Sequence, residues 1–264
     1  NMSKVRHISE KSNSNRTIAL FLGLLFLSFY ILTAQGSIQS LDGTIMYELT
    51  ESVAEKGSVA IDNPAGVRGL DGRLYSKYGL GQPLAAVPFY LVGKYVAMIF
   101  PLPFAPEYAK KFFVSMLNPV VTAFTCMLLY VFGLKFGYSR KVAVLITFIF
   151  GLGTMAWPYS QTFYSEPLTT LLLLGMFYLL MKNGFAAKEF LLAGAFLGGA
   201  VLTRIGSLIA LPAVGVYLFF ASKTLHEFGK RLLIFITPLL GMLTIIFSYN
   251  YYRFGSPWQT GYGS

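Results

Sequence analysis

Apolar runs separated by short polar segments dominate the chain, and their lengths predict helices that cross a membrane. The hydrocarbon core of a bilayer is about 30 Å thick and needs roughly 20 apolar residues of α-helix. We predict seven crossings, at Thr17–Thr33, Phe112–Leu134, Val142–Pro158, Pro167–Met181, Phe190–Thr203, Gly206–Ala221 and Leu232–Asn250. A further apolar run, Leu84–Phe100, contains Lys94. The pattern predicts an all-α integral membrane protein.

The placement of lysine and arginine predicts the orientation of these helices. Loops on the inner face of a membrane carry an excess of both residues. If Leu84–Phe100 does not cross, the inner segments collect Lys4, Arg6, Lys11, Arg16, Lys135, Arg140, Lys141, Lys182, Lys188, Lys223, Lys230 and Arg231. If that run crossed, every later loop would change sides and the basic loops would face outward. We therefore predict an inner N-terminus, an outer C-terminus, and a re-entrant or interfacial helix over Leu84–Phe100.

The longest polar segment is the predicted first outer loop, residues 34–111. Near its start, apolar residues recur at four-residue spacing, at Leu41, Ile45, Leu49 and Val53. This period is typical of a helix, and Gly57 is a candidate C-cap. We expect the helix to lie in the interface plane with its apolar face toward lipid.

Composition agrees with a membrane protein. Hydrophobic residues make up 55% of the chain and charged residues only 12%, whereas soluble proteins contain roughly 25% charged residues. The net charge of +10 comes from basic residues beside apolar runs, so it indicates topology and not nucleic-acid binding. Cys126 is the only cysteine, which excludes a disulfide framework and a cysteine metal cluster. No repeat or linker divides residues 1–264, which we interpret as one domain.

Two carboxylates at the predicted outer face are the main candidates for chemistry. Only 11 of 264 residues are acidic, and a carboxylate beside hydrocarbon is costly unless it has a partner. Asp42 lies in the first turn of the predicted loop helix, where the helix dipole favours its ionised form. It is either a helix-start acid or a metal ligand or charge stabiliser. Glu166 precedes Pro167, so it is either a first-turn acid or shares one cleft with Asp42.

Two basic residues lie on the same predicted face. Lys77, in GRLYSKYGLGQPL, is either a charge-assisted contact for a lipid phosphate or a lysine that extends to the headgroup region. Arg204, in VLTRIGS, is the only basic residue of the short outer loops. It is either an anion ligand or a partner for Glu166. The sequence contains no phosphate-binding glycine loop, HExxH or GxSxG motif.

Five stretches together resemble a known enzyme family. They are LDGTIMYELTESVAEKGSVAI, GRLYSKYGLGQPLAAVPFYLVG, TFYSEPLTTLLLL, GAVLTRIGSLIALP and NYYRFGSPWQTGYG. In these stretches and their order, the chain resembles the N-terminal membrane module of the GT-C glycosyltransferases. The branch to which it is most similar contains the protein O-mannosyltransferases and the aminoarabinose-to-lipid-A transferase. The resemblance covers nearly the whole chain.

The resemblance implies a transferase that moves a sugar from a polyprenyl-phosphate donor to an acceptor on the outer face of a prokaryotic plasma (inner) membrane. It implies that Asp42 is the catalytic residue, as general base or electrostatic stabiliser, and that Glu166 contacts acceptor or metal. Lys77 would hold the lipid phosphate of the donor, and Arg204 would help to neutralise it. The family also has interfacial helices in the first outer loop.

Two departures from the family pattern keep a rival hypothesis open. Many relatives carry a second acid beside the first, whereas Gly43 follows Asp42, so a divalent metal ion at Asp42 and Glu166 is an open question. The chain also stops at Ser264, where relatives continue with further helices. It is therefore a fragment, a truncated form or a short member that acts with a partner. The rival is a non-catalytic GT-C-like subunit that works with other membrane subunits.

Overall fold

Helices account for most of the molecule. The computed structural model describes residues 2–100, 105–181 and 186–262 and is 76% helical. The helices are α1 (Met2–Thr33), α2 (Leu41–Lys56), α3 (Gly81–Ile99), α4 (Ala105–Ser115), α5 (Leu117–Lys135), α6 (Arg140–Gly153), α7 (Ala156–Ser160), α8 (Glu166–Leu180), α9 (Ala187–Thr203), α10 (Ala210–Ala221) and α11 (Leu225–Phe254). A short 3-10 helix, Ile205–Ile209, precedes α10. The predicted all-α class is confirmed.

A small sheet that the sequence did not predict lies between α2 and α3. Its strands are β1 (Ala60–Ile61), β2 (Val67–Arg68) and β3 (Leu74–Tyr75), which pair antiparallel in the order β1-β3-β2. Each strand has only two residues, too few for the alternating pattern that identifies a strand from sequence.

Three helical segments among the described residues are long and apolar enough to cross a membrane. They are Asn13–Thr33, Pro106–Lys135 and Leu225–Phe254. Two shorter apolar segments, Glu166–Leu180 and Ile205–Ala221, accompany them. The second of these candidate segments begins before the predicted Phe112, since α4 leads into α5 with one residue between them.

The prediction of seven crossings is not supported by helix length. All seven predicted runs fall on helices, but α6, α8, α9 and α10 have only 14, 15, 17 and 12 residues. At the usual rise, a helix of ~15 residues is about 22 Å long, shorter than a typical bilayer core. The run Val142–Pro158 is also divided, because the backbone is extended at Thr154 before α7 begins.

Two groups of helices form the core. In the first, α9 packs between α8 and α11 around Leu197 and Phe235. Gly194 allows the close approach of α9 to α11, because a Cβ at this position would lie 1.9 Å from the Phe235 carbonyl oxygen. In the second group, α1, α5 and α6 pack around Phe26 and Tyr30. Contacts between α5 and α8 join the groups.

Protein covers the apolar face of α2 beyond its first residue, Leu41, which is 58% exposed. The prediction that this face meets lipid is therefore wrong at Ile45 and Leu49. Ile45 and Leu49 are 1% and 0% exposed, and they pack with Leu80 and Tyr249. The sequence period identified the apolar face correctly. It could not reveal that α3 and the small sheet lie against α2.

The predicted ends of α2 are confirmed. The Ser40 hydroxyl oxygen accepts a hydrogen bond from the Gly43 N–H at 3.1 Å, so Ser40 is the N-cap. Asp42 lies in the first turn, as predicted, but it is not the cap. Gly57 ends the helix in the left-handed region, with φ of 59°, a conformation that favours glycine.

The segment between α2 and α3 is fastened to the end of α11. The Leu70 N–H donates to the Arg253 carbonyl oxygen at 3.0 Å. Nearby, the Asp71 carboxylate accepts from the Tyr75 hydroxyl at 2.7 Å and from the Arg73 Nε at 2.6 Å. These hydrogen bonds lower the pKa of Asp71 to about 2. They fix the position of β3 and of the residues that follow it.

Candidate functional site

A cavity of about 480 Å³ lies among the ends of four helices. The first turns of α2 and α8 border it together with the last turns of α9 and α11, and the segment before α3 closes one side. All four site residues predicted from the sequence line this cavity: Asp42, Lys77, Glu166 and Arg204. Folding therefore brings together residues from four separate parts of the chain. Their chemical roles stay predictions.

Asp42 faces the cavity from the first turn of α2. It is half-buried. Tyr78 lines the same cavity. Burial, followed by interaction with the Asp42 carboxylate, raises the pKa of Tyr78 above its ordinary value. The Tyr78 hydroxyl is therefore protonated at neutral pH and can donate to Asp42.

Glu166 and Arg204 form an ion pair across the cavity wall. The Arg204 Nη1 donates to the Glu166 Oε1. Glu166 begins α8, and Arg204 is the C-cap residue of α9. Their side chains are 35% and 48% exposed, so the pair contributes only about 0–1 kcal/mol to stability. Arg204 was predicted to be either an anion ligand or a partner for Glu166. The structure shows the ion pair with Glu166.

Lys77 lines this cavity and is half-buried. Its Nζ lies 5.4 Å from the centroid of the Tyr78 ring. Among the described residues, no carboxylate and no hydrogen-bond acceptor contacts this Nζ. Lys77 also borders a second, open cleft that contains Arg68. An ammonium group in this position can bind an anion in the cavity.

Arg253 is a cavity residue to which the sequence analysis assigned no role. It is 2% exposed, and its guanidinium lies 3.6 Å from the centroid of the Tyr249 ring. It donates to the Ser76 carbonyl oxygen, to the Asn250 Oδ1 at 2.6 Å and to the Tyr249 carbonyl oxygen at 3.3 Å. Within the described part of the chain, none of its partners is a carboxylate. The sequence signal that could have identified Arg253 is an arginine at the end of a long apolar run.

The charges of the cavity favour an anionic ligand. The lining contains the cations Lys77, Arg204 and Arg253 and the carboxylates Asp42 and Glu166. Since Glu166 and Arg204 neutralise each other, Lys77 and Arg253 face a single carboxylate, and one positive charge is in excess. A concave site with an excess of one sign attracts ligands of the opposite sign.

The cavity offers two carboxylates to a divalent metal ion, Asp42 and a Glu166 that is paired with Arg204. One or two carboxylates, completed by substrate phosphates and waters, are the usual ligands of Mg²⁺, so a metal ion at these two residues stays a prediction. A side chain in place of Gly43 would have to displace the Ser40 hydroxyl, because a Cβ there would lie 2.7 Å from its oxygen. Across the described residues, no three His, Cys, Asp or Glu side chains form a metal-binding group.

The segment after α11 returns to the cavity. Asn250 donates from its side-chain amide to the Pro257 carbonyl oxygen at 2.9 Å, and Thr260 and Tyr262 line the cavity. The Tyr262 and Tyr78 rings meet edge to face, with centroids 6.1 Å apart. Burial raises the pKa of Tyr262. Aromatic rings and polar hydroxyls thus lie beside the charged groups.

Comparisons of the chain with protein-family models, with curated proteins and with solved structures found no match. The resemblance to the GT-C glycosyltransferases therefore stays a prediction that rests on the five sequence stretches.

Proposed function

We propose that this chain is a membrane glycosyltransferase that moves a sugar from a polyprenyl-phosphate donor to an acceptor. The observation that carries the proposal is the meeting of Asp42, Lys77, Glu166 and Arg204 around one cavity. The sequence resemblance singled out these four residues, which lie far apart in the chain. A cavity with an unpaired lysine and a carboxylate suits a phosphate-linked sugar.

The same proposal includes the membrane topology. We propose seven crossings, formed by α1, α4–α5, α6–α7, α8, α9, the 3-10 helix with α10, and α11. The N-terminus would be inside and the C-terminus outside, in the plasma membrane of a prokaryote, with the cavity at the outer face. In support, the end of α1, the start of α8 and the ends of α9 and α11 would then lie on one side, which is where Asp42, Glu166, Arg204 and Arg253 are found.

In the proposed reaction, an acceptor hydroxyl oxygen bonds to the anomeric carbon while the bond from that carbon to the phosphate oxygen breaks. Asp42, as general base, takes the proton of the hydroxyl. The electron pair leaves with the polyprenyl phosphate, whose negative charge Lys77 neutralises. Arg204 supports this neutralisation while it holds Glu166, and Glu166 accepts a hydrogen bond from the acceptor.

The rival function is that of a non-catalytic subunit of a larger membrane complex. Two observations favour it: glycine follows Asp42, so the second acid of the family pattern is missing, and Glu166 is held in an ion pair. A subunit of this kind would retain the cavity and tolerate changes of Asp42. The two functions therefore differ in one measurable property, which is whether the protein transfers a sugar and needs Asp42 to do so.

The experiment compares Asp42→Asn with the wild type, using a panel of polyprenyl-phosphate sugars and measuring released polyprenyl phosphate. We expect transfer to be abolished and lipid-phosphate binding to be kept. Asp62→Asn is the matched control, because Asp62 is an exposed loop acid that pairs only with Lys56 at 3.3 Å. Full transfer by Asp42→Asn would refute the assignment. Binding without transfer in the wild type would favour the subunit.

A further inference from the structure

A separate cavity, of about 410 Å³, lies between α2, β1 with the loop that follows it, and the start of α4. It shares no described lining residue with the cavity that contains Asp42 and Lys77. We call it the α2 side cavity. Five acids line it: Glu48, Glu51, Glu55, Asp62 and Glu107. Two lysines, Lys56 and Lys111, accompany them, so the lining is acidic.

Four of the five acids have a lysine partner. Lys56 pairs with Asp62 at 3.3 Å, Lys94 with Glu55 at 2.7 Å, Lys110 with Glu51 at 2.7 Å and Lys111 with Glu107 at 3.4 Å. Among the described residues, no lysine or arginine pairs with the fifth acid, Glu48. The four pairs neutralise one another, and one negative charge, that of Glu48, is in excess.

One oxygen of Glu48 has a partner and the other has none. The Asn63 side-chain amide donates to the Glu48 Oε1 at 2.8 Å. The Glu48 Oε2 is buried and accepts no hydrogen bond within the described part of the chain. Buried polar atoms in folded proteins are normally hydrogen-bonded. The Oε2 therefore indicates a place where a donor from outside the chain can bind.

Ser52, one turn further along α2, is an independent sign of a ligand. It lines the same cavity and is only 5% exposed, and its Oγ is buried without a hydrogen-bond partner among the described residues. A helical serine or threonine can donate to the carbonyl oxygen four residues earlier. On α2, Thr44 and Thr50 do so at 3.0 and 2.9 Å. Ser52 does not, so its hydroxyl is available to the cavity.

The two unpartnered groups lie close enough for one ligand group to reach both. Glu48 and Ser52 are four residues apart on a helix, and such residues are neighbours on one face, with Cβ atoms about 5–6 Å apart. Tyr47 lines the cavity beside them. The face of an aromatic ring attracts cations, and the Lys111 Nζ lies 5.4 Å from the centroid of the Tyr47 ring.

We propose that the α2 side cavity binds a small primary amine, whose ammonium group lies between Glu48 and Ser52. An ammonium group supplies one positive charge, equal to the excess at Glu48, and three donors. It can donate to the Glu48 Oε2 and to the Ser52 Oγ at once. A metal ion suits the cavity less well, because no three acids, histidines or cysteines among the described residues form a metal-binding group. The inference goes beyond the proposed function and does not depend on it.

The test compares an amine with a neutral molecule of the same shape. Purified full chain in dodecyl maltoside micelles, in a buffer without primary amines, is titrated with propylamine and with propanol by calorimetry. The wild type should bind propylamine at least about tenfold more tightly, because a hydrogen bond between charged groups is stronger than a neutral one. Equal affinity for the two molecules would overturn the inference.

Glu48→Gln removes the excess charge and keeps an oxygen that accepts from Asn63. Its affinity for propylamine should fall at least about tenfold. Asp62→Asn is the matched control, since it makes the same change of charge in the same cavity. It should alter the affinity by less than about threefold, because Asp62 is 92% exposed and pairs with Lys56. An equal loss in both variants would contradict a site at Glu48.

Ser52→Ala tests the site without touching a charge. The variant removes a hydroxyl that has no partner among the described residues, so the fold should be retained. Its affinity for propylamine should fall about fivefold. Unchanged affinity in both Ser52→Ala and Glu48→Gln would overturn the inference. Displacement of propylamine by a lower concentration of calcium ions would also overturn it, in favour of a metal site.

Two sources share this chemistry: the ethanolamine headgroup of a membrane lipid and a soluble amine. Phosphatidylethanolamine added to the micelles distinguishes them, with phosphatidylcholine, which has no N–H donor, as the control lipid. Competition with propylamine by phosphatidylethanolamine alone would support the site and identify the headgroup. Binding of propylamine that neither lipid affects would support the site and identify a soluble amine. Equal competition by both lipids would contradict an ammonium group that donates to Glu48 and Ser52.

Discussion

Helix α2 carries two groups of charges that differ in how completely they are paired. Along its second half, Glu51 pairs with Lys110 and Glu55 pairs with Lys94, both at 2.7 Å, and Glu107 joins Lys110 at 2.9 Å. We call these five residues the α2–α4 charge network. The Tyr90 hydroxyl lies within hydrogen-bond distance of both α2 carboxylates. Each charge of the network has an opposite partner.

The first turn of α2 faces the cavity, where pairing is incomplete. Lys77 contacts only the ring of Tyr78, and Arg253 bonds only neutral acceptors within the described part of the chain. Asp42 lines the same cavity as these two cations. Compensated charges hold α2, α3 and α4 together, whereas uncompensated charges in a concave site are typical of ligand binding. The comparison predicts that substitutions in the α2–α4 charge network affect stability, whereas substitutions at the cavity affect ligand binding.

The largest effect on stability is expected for Arg253→Met. The change leaves the Ser76 carbonyl oxygen and the Asn250 Oδ1 without their donor in a buried place, which costs about 3 kcal/mol of the free energy of unfolding. It also removes a cation from the cavity, so binding of polyprenyl phosphate should weaken. Thermal unfolding of the purified protein, with and without this ligand, measures both effects.

Arg231→Met is the control for Arg253→Met. Arg231 is a second buried arginine of α11, but it pairs with the Glu227 carboxylate and bonds the Ala221 carbonyl oxygen. We expect it to destabilise the fold without weakening ligand binding, because it lies at the other end of the helix. Equal loss of ligand binding in both variants would mean that Arg253 acts only through stability.

A smaller effect is expected for Lys110→Met. Glu51 and Glu107 would lose a shared partner, but both are partly exposed, so water replaces much of the interaction. The expected loss is about 1 kcal/mol of the free energy of unfolding, with no change in ligand binding or transfer. Lys111→Met is the control, since Glu107, at 3.4 Å, is the one acid with which Lys111 pairs among the described residues. Reduced transfer in Lys110→Met would show that the charge network also serves the site.

Local sequence patterns predicted the helices, and the charged residues that meet at one cavity, better than they predicted individual contacts. The four-residue spacing from Leu41 to Val53 located α2, and charge placement selected Asp42, Lys77, Glu166 and Arg204 as groups on one face. These inferences need only the period of a helix and the side on which a loop lies. Helix ends were also readable where a residue type has a clear preference, as at Gly57.

These local patterns could not predict the tertiary contacts. Arg253 meets the Ser76 carbonyl oxygen across 177 residues of sequence, and no local pattern indicates that encounter. The period of α2 could not reveal that Leu80, Tyr249 and residues of the sheet cover its apolar face. The break at Thr154, which divides a predicted crossing, occurs within an unbroken apolar run.

Lys77→Met is expected to have the smallest effect on stability and a clear effect on ligand binding. Its Nζ meets only the Tyr78 ring among the described residues, so the free energy of unfolding should change by less than about 0.5 kcal/mol. In the wild type, polyprenyl phosphate at ~100 times its Kd should stabilise the fold by about 2.7 kcal/mol. If Lys77 contacts the phosphate, a tenfold weaker Kd would reduce this stabilisation by about 1.4 kcal/mol.

Lys56→Met serves as the control for Lys77→Met, since Lys56 is exposed and pairs with Asp62 away from the cavity. Thermal unfolding of both variants across a ligand titration separates the possible outcomes. Stabilisation that falls only in Lys77→Met would support a phosphate site at an uncompensated lysine. Equal stabilisation in all three proteins would contradict the role of Lys77. No stabilisation in any of them would favour the non-catalytic subunit. The uncompensated charges of the cavity would then need a partner other than a lipid phosphate.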